Sequence, residues 1–331
     1  MARRRALVAS APTRLDFGGG WTDVPPFPEE RGGFVCNVAI DRRAIIRLTD
    51  RNTDRQAAGE VASPSDPLIA AALRHAQATD VDVTVTSDFP VGAGLGGSSA
   101  AGVALAAGLH AWRGRKADRA SLAEWSREVE VNELGIAGGR QDHYAAAFGG
   151  ALGLTFGRDT AVDAIALTRE STAALEHRCL LAYTGESRIS ATTITAVLDA
   201  YRDRVPHVLD ALDAMKALAL EMRHALGAGD IEQLGTLVGA HWIHQRALHP
   251  AITTPCIDAI EAATRAAGSI GMKALGASGG GCVMVFVPPS RVAQVSEALA
   301  TLATLLPWRV ATHGVVVDDI VDDAAQDRDG D

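Results

Sequence analysis

The stretch Pro90-Val91-Gly92-Ala93-Gly94-Leu95-Gly96-Gly97-Ser98-Ser99-Ala100 decides the fold because of what stands on either side of it. Before it, Val81-Asp82-Val83-Thr84-Val85-Thr86 alternates strictly, the pattern of a half-buried strand. After it, Ala101, Leu105, Leu109 and Trp112 recur at helical spacing over Ser98 to Trp112, with Ser98 and Ser99, residue types favoured at helix N-caps, near the start. Strand, glycine turn and helix N-terminus in this order place bare backbone amides where an anion can approach. Two more glycine loops flank the chain: Phe17-Gly18-Gly19-Gly20-Trp21-Thr22-Asp23, and Gly276-Ala277-Ser278-Gly279-Gly280-Gly281. Three such loops point to a nucleotide enzyme.

Working outward, Ala6 to Ala9, Phe34 to Ile40 and Ala44 to Leu48 read as strands, the last two separated by a charged Asp41-Arg42-Arg43 turn. A polar stretch over 50–67 leads into a helix ending near Ala78. Further helices are expected over Ser121 to Leu134 and from Arg140 to about Gly149, then a strand at Leu152 to Phe156. The pattern weakens between Arg158 and Leu175 and resumes as a buried strand at Cys179 to Tyr183, which divides the chain into residues 1–175 and 176–331. From Ser190 to Ala267 the chain is mostly helical, with breaks at Gly227 to Gly229 and Pro250 to Pro255. A strand, helix and strand follow, and the acidic end from Asp318 to Asp331 reads as frayed.

At 331 residues the chain exceeds what one hydrophobic core usually serves. Its 33 glycines, about one residue in ten against a usual ~7%, collect in the loops. A net charge of -9 argues against nucleic acid and anionic membrane as partners, so a polyphosphate must be held by local amides, a few basic side chains and a cation, expected to be Mg²⁺. Cys36, Cys179, Cys256 and Cys282 lack zinc-like spacing and read as buried thiols of a reducing compartment. The apolar run after Arg3-Arg4-Arg5 is too short for a signal segment, and Ala100 to Trp112 falls short of the ~20 residues that span a bilayer. A cytoplasmic protein is expected.

Three rival readings of the glycine loops fail. Gly92-Ala93-Gly94-Leu95-Gly96-Gly97 formally satisfies GxGxxG, yet Arg113 to Ala123 is charged where a dinucleotide fold needs a second strand ending in an acid. No GxxxxGK[ST] occurs. Gly276-Ala277-Ser278-Gly279-Gly280 fits GxSxG, but only Glu297 lies between Ser278 and His313 to complete a hydrolase triad. His241, His244 and His249 fall close together on a helix without a completing carboxylate, and read as helix surface or cleft lining. Met215, Leu218 and Met222 read as core.

Taken together, the three loops resemble the motifs of the GHMP small-molecule kinases over Ala11 to Val287, with PxGxGLGGSSA as the distinctive element and AxGGG in the right place. Arg14-Leu15-Asp16-Phe17-Gly18-Gly19-Gly20-Trp21-Thr22-Asp23 looks like the sugar 1-kinase branch of L-fucokinases and D-glycero-D-manno-heptose 7-phosphate kinases. Gly139 to Tyr144 is similar to the heptose enzymes' GKQDQY, with Arg140 for lysine and His143 for glutamine, and Thr184 to Arg188 is similar to their TGxSR. The resemblance implies an α+β fold of two domains, an N-terminal ribosomal protein S5 domain 2-like domain and a C-terminal ferredoxin-like one. It implies ATP held by Pro90, Gly92, Gly94, Leu95, Gly96, Gly97, Ser98 and Ser99, and Mg²⁺ held by Ser98, or its neighbour Ser99, with Glu130. Asp142 matches the general base, and Arg14 the basic residue that bridges γ-phosphate and base. Asp16, Gly19, Gly20, Trp21, Thr22 and Asp23 would surround the sugar, closed over by Ser278, Gly279 and Gly280. Gln141 belongs to the same substrate set, Gly138 and Gly139 would leave room for substrate, and Arg140 and Arg188 are candidates for a distal phosphate. Lys273 reads either as part of this region or as a plain surface lysine. The expected partner is a sugar or sugar phosphate, the reaction phosphorylation of the anomeric hydroxyl, with D-glycero-D-manno-heptose 7-phosphate ahead of L-fucose or another free sugar. A catalytically silent ligand sensor is disfavoured by the presence of Arg14, Ser98, Glu130 and Asp142, and a homodimer is left open.

Overall fold

The computed structural model describes residues 5–51, 66–136, 138–186 and 191–321. In chain order the elements are β1 (Arg5–Gly18), α1 (Phe27–Arg31), β2 (Gly33–Asp50), α2 (Pro67–Ala76), β3 (Val81–Ser87), α3 (Gly97–Trp112), α4 (Arg119–Glu128), a π turn (Val129–Glu133), α5 (Gln141–Phe148), β4 (Ala151–Phe156), β5 (Thr160–Ile165), α6 (Arg169–Arg178), β6 (Cys179–Tyr183), α7 (Ala191–Arg202), α8 (Pro206–Ala228), α9 (Ile231–Ala247), α10 (Pro255–Ala266), β7 (Gly271–Ala274), β8 (Cys282–Phe286), α11 (Val292–Ala300), β9 (Thr304–Leu305) and β10 (Val316–Val321). Strands form two sheets, one of order β10-β1-β2-β4-β5 with β3 also on β2, the other of order β7-β8-β6-β9.

The spine of the first sheet is the antiparallel pair β1 and β2. Leu7, Ala9, Ala11, Leu15 and Phe17 bury alternate positions of β1. Asp41-Arg42-Arg43 is a bulge inside β2 and not the expected turn: Pro12 pairs Arg43 while Thr13 pairs Ile40, so β2 carries the extra residues. The strand survives these charges because Arg42 donates to the Pro307 and Asp88 carbonyls, and Arg43 to those of Ser10 and Gly314. The bulge lets β2 serve two neighbours, β4 along Gly33 to Val38 and β3 along Ala44 to Asp50.

Helix α3 is buried on nearly every side, from Ser99 through Leu109 and at Trp112, because it runs beneath the sheet with α2, α4 and α5 around it. Its N-cap is Gly96 in the left-handed region, with no side-chain cap, so Ser98 and Ser99 belong to the first turn and do not cap it. Between Arg158 and Leu175, where the pattern fades, lie β5, half exposed at the sheet edge, and α6, which buries only Leu175. Asp318 and Asp319 are not frayed: they belong to β10, which pairs β1. The remaining expected tail, 322–331, lies outside the described residues.

A core of Leu15, Phe17, Phe34 and Val38 with Leu181, Met222, Leu234 and Phe286 joins the first sheet to the second and its helices. All four cysteines are free thiols, three of them buried. Among the described residues no helix is long and apolar enough to cross a membrane.

The second and third glycine loops meet backbone to backbone. Cys282 N–H donates to the Ala93 carbonyl at 2.8 Å, and a Cβ on Gly276 (φ +66°) would lie 3.0 Å from Gly94 Cα. Gly114 has the same φ of +66° with nothing within 4 Å of an added Cβ. Gly114→Ala should therefore cost only the left-handed strain, about 1–2 kcal/mol. Gly276→Ala should cost measurably more in urea unfolding because the facing backbone must also move; equal costs would show that the loop contact is slack.

Candidate active site

Arg14 of β1 is buried at 3% exposure and holds three segments together. Its Nε donates to Asp142 Oδ1 at 2.8 Å, its Nη1 to the Gly94 carbonyl at 2.6 Å, and its backbone N–H to the Leu95 carbonyl at 3.1 Å. Asp142 lies in the first turn of α5. Gly96 lets it come close, since a Cβ there would lie 2.9 Å from Asp142 Cγ. The expected pairing of Arg14 with Asp142 is thus present.

Two cavities meet at Asp142. The larger, about 460 Å³, runs from Leu68, Val85 and Phe89 along the loop 90–99, and the smaller, about 200 Å³, is walled by Arg14, Asp16, Trp21, Asp23 and Gln141. Ser99, Glu130 and Asp142 line both. The larger cavity ends on the uncapped N-terminus of α3, where free N–H groups and the helix dipole favour an anion. Pro90, Gly92, Gly94, Leu95, Gly96, Gly97 and Ser98 line it.

Glu130 is placed by the π turn, the kind of local widening that often marks functional sites. His143 Nε2 lies 2.8 Å from Glu130 Oε2, Ser99 Oγ lies 3.4 Å from it, and Ser126 Oγ lies 3.0 Å from His143 Nδ1. Burial pushes the Glu130 carboxyl up, but its bonds from His143 and Ser99 outweigh this and hold it below its ordinary value. Ser99 is the serine brought to Glu130; Ser98 is exposed one residue away. Among the described residues no group of three or more His, Cys, Asp or Glu side chains could hold a metal ion. Glu130 with a serine hydroxyl nevertheless offers hard oxygen ligands of the kind Mg²⁺ takes when phosphates and water complete its shell, so the residues fit that ion.

In the smaller cavity, Asp23 is fully buried and accepts from the Gln141 N–H at 3.0 Å. Burial, opposed by that bond and reinforced by Asp142 and Asp16, pushes its pKa up to about 6. Gly139 lines this cavity together with Gly138 and also makes room for the Asp23 carboxylate, because a Cβ there would overlap it. Gly20 and Trp21 line the cavity, whereas buried Thr22 donates to the Gly19 and Phe34 carbonyls and so shapes the loop from behind. Trp21 (φ 81°) and Ser278 (φ 67°) are non-glycine residues in the left-handed region, one in each outer loop.

Several expected roles are not brought to the site. The Arg140 guanidinium donates to Gly157, Thr160 and Glu29, away from both cavities. Arg188 lies outside the described residues. Ser278 accepts from Gln245 Nε2 and Gly279 donates to the Ile252 carbonyl, while Gly280 packs on Glu186; Gly276 and Ala277 line the smaller cavity instead. Lys273 is no surface lysine: it has zero exposure and lies 3.1 Å from Asp16 Oδ2. His241 is neither surface nor cleft lining, since it is wholly buried and its Nε2 accepts the Gly19 N–H at 2.9 Å. Burial, with the charges of Lys273 and His244, holds it far below its ordinary pKa, so it is neutral with its proton on Nδ1. The sequence reading left Lys273 and His241 between site and surface, and it missed His143 as a partner of Glu130.

The sequence matches the family GHMP kinases N terminal domain over residues 67–150 and GHMP kinases C terminal over residues 222–303, together half of the chain. A D-glycero-alpha-D-manno-heptose 7-phosphate kinase of Campylobacter jejuni is 25% identical over 318 residues, 89% of this chain and 93% of that one. An L-fucokinase/L-fucose-1-P guanylyltransferase of Bacteroides fragilis is 25% identical over 337 residues, 87% of this chain but 35% of that protein. The crystal structure of a D-glycero-D-manno-heptose 1-phosphate kinase from Bacteroides thetaiotaomicron has a TM-score of 0.76 at 23% identity, covering 95% of this chain and 99% of that one. The expected fold, two α+β domains in the GHMP kinase arrangement, is the one observed.

Asp23 yields a pH prediction. The folded protein holds this proton up to about pH 6, whereas the unfolded chain releases it near 3.8, so stability from this group falls as pH rises through that window. Above pH 6 the cost is on the order of 3 kcal/mol. Asp23→Asn should unfold at higher urea than wild type at pH 7.5, with the advantage shrinking towards pH 4. An advantage that does not change with pH would contradict the burial effect.

Proposed function

This chain belongs to the GHMP kinases and is an ATP-dependent sugar kinase, and on that premise we propose that it phosphorylates the anomeric C1 hydroxyl of D-glycero-D-manno-heptose 7-phosphate, giving the 1,7-bisphosphate. The observation that carries the reading is the junction of the two cavities, where Ser99, Glu130 and Asp142 face both and Arg14 is bonded to Asp142.

ATP lies in the larger cavity with its phosphates against the amides of Gly94 to Ser99 and the start of α3. The acceptor occupies the smaller cavity, its hydroxyl beside Asp142. Asp142 Oδ1 is taken by Arg14, which leaves Oδ2 to accept the hydroxyl proton. The acceptor oxygen bonds to the γ-phosphorus, the bond from phosphorus to the bridging oxygen breaks, and ADP leaves with that electron pair. Arg14 offsets the charge gathered between Asp142 and the transferring group. Glu130, with Ser99 or Ser98, would hold Mg²⁺, which supplies charge screening along the phosphates.

The Campylobacter jejuni relative and the Gln141-Asp142-His143-Tyr144 segment support the heptose phosphate. A free sugar such as L-fucose is the second reading. It is favoured by the smaller cavity, which presents Asp16, Asp23 and Asp142 and, among the described residues, only one lining cation, Arg14, already bonded to Asp142.

Asp142→Asn should lower kcat by about 10²- to 10⁴-fold while ATP binding by calorimetry is retained. With wild-type enzyme, Mg-ATP and a panel of free sugars and 7-phosphorylated heptoses, ³¹P NMR should show a new anomeric phosphate only where a second phosphate is already present. A single anomeric phosphate on a free sugar would transfer the assignment to the second reading.

A further inference from the structure

Lys273 is the one charged side chain among the described residues with no exposure, and the mechanism above gives it nothing to do. It lies in β7, just before the third glycine loop, and its Nζ reaches across to β1, 3.1 Å from Asp16 Oδ2 and 3.5 Å from the Phe17 carbonyl. Asp16 is 4% exposed. A pair so deeply buried is weak support for folding, since well-packed apolar residues of similar volume commonly serve as well or better.

The other end of Asp16 suggests what the pair is for. Asp16 lines the smaller cavity, and its Oδ1 has no hydrogen-bond partner; Gln141, on the same cavity, has an equally unpartnered Oε1. Buried acceptors without donors are uncommon in native proteins and call for an explanation. Gly20 brings the first loop directly over both groups, for a Cβ there would run into Asp16 Oδ2 and lie 3.0 Å from Gln141 Nε2. Both side chains line the smaller cavity beneath the first loop, and hydroxyl groups are the donors that a polyol would bring to their free oxygens.

We propose that Asp16 is a specificity-determining residue for the acceptor, its Oδ1 accepting a hydrogen bond from a sugar hydroxyl, and that Lys273 is a positioning residue that holds Oδ2 and neutralises the carboxylate from behind. This rests on the smaller cavity being the acceptor site. One ammonium then serves two ends: it fixes the direction of Oδ1, and it lets an ionised acceptor stay buried when the cavity is empty. Asp23 and Asp16 present acceptors to the same ligand, so the cavity selects for a substrate that has several hydroxyl donors on this side.

The test uses the best acceptor found in the panel, together with its analogues lacking one hydroxyl each. Lys273→Met alone leaves a lone buried carboxylate, so the informative variant is Asp16→Leu with Lys273→Met, which removes both charges. It should unfold near the wild-type temperature, keep its KM for ATP, and raise KM for the acceptor about tenfold or more. One deoxy analogue that is poor for wild type should show no further loss in this variant. If the double variant does not fold, Asp16→Asn preserves the volume and the bond from Lys273 but turns an amide donor towards the hydroxyl, and should raise acceptor KM similarly. A folded variant of either kind with wild-type acceptor KM overturns the proposal. Wild type that phosphorylates no sugar in the panel instead refutes the activity on which it rests.

Discussion

The buried Arg14 guanidinium is the tie on which the site depends. It bonds at once to Asp142 at the start of α5 and to the Gly94 carbonyl in the second glycine loop, while its own backbone is hydrogen-bonded to Leu95. A strand, a loop and a helix from distant parts of the chain are thereby set at fixed spacings. A charged hydrogen bond in such a dry place is stronger and more directional than one in water. Without that cation, the half-buried Asp142 carboxylate would stand near two others, Asp23 and Asp16, with no partner to fix its direction.

Charge economy explains much of the rest. A chain of net charge -9 cannot attract a polyphosphate by its overall field. It relies on dipoles, the uncapped amides of α3 and a loop whose glycines let the backbone come close. The carboxylates are handled one at a time: Asp142 by Arg14, Asp16 by Lys273, Glu130 by His143, and Asp23 by keeping its proton to about pH 6. Each solution uses a different physical device, and each is local.

What could be read from the sequence was whatever is recorded in short spans. The second glycine loop, α3, Arg14 and Asp142 all fall inside compact motifs whose residue types imply their surroundings. Lys273 and His241 could not be placed in this way, because their partners, Asp16 and Gly19, are 257 and 222 residues distant and a single polar residue in an apolar stretch carries no mark of its depth. The bulge at Asp41 to Arg43 read as a turn because three charges in a row resemble one, and only the carbonyls of Asp88, Pro307, Ser10 and Gly314 reveal why a strand tolerates them. Arg140 shows the opposite case: its motif pointed to the substrate, but its guanidinium is held by the Gly157 carbonyl, Thr160 and Glu29.

The pairing of β10 with β1 bears on how the protein is made. Residues 316–321 lie against residues 5–10, so the strand that carries Arg14 leaves the ribosome about 300 residues before its neighbour on that side exists. During that interval the flank of β1 is an unpaired edge, open to strands of other nascent chains. The late partner brings Asp318 and Asp319 to the rim, and two negative charges on a finished border discourage further strand addition once the sheet is complete.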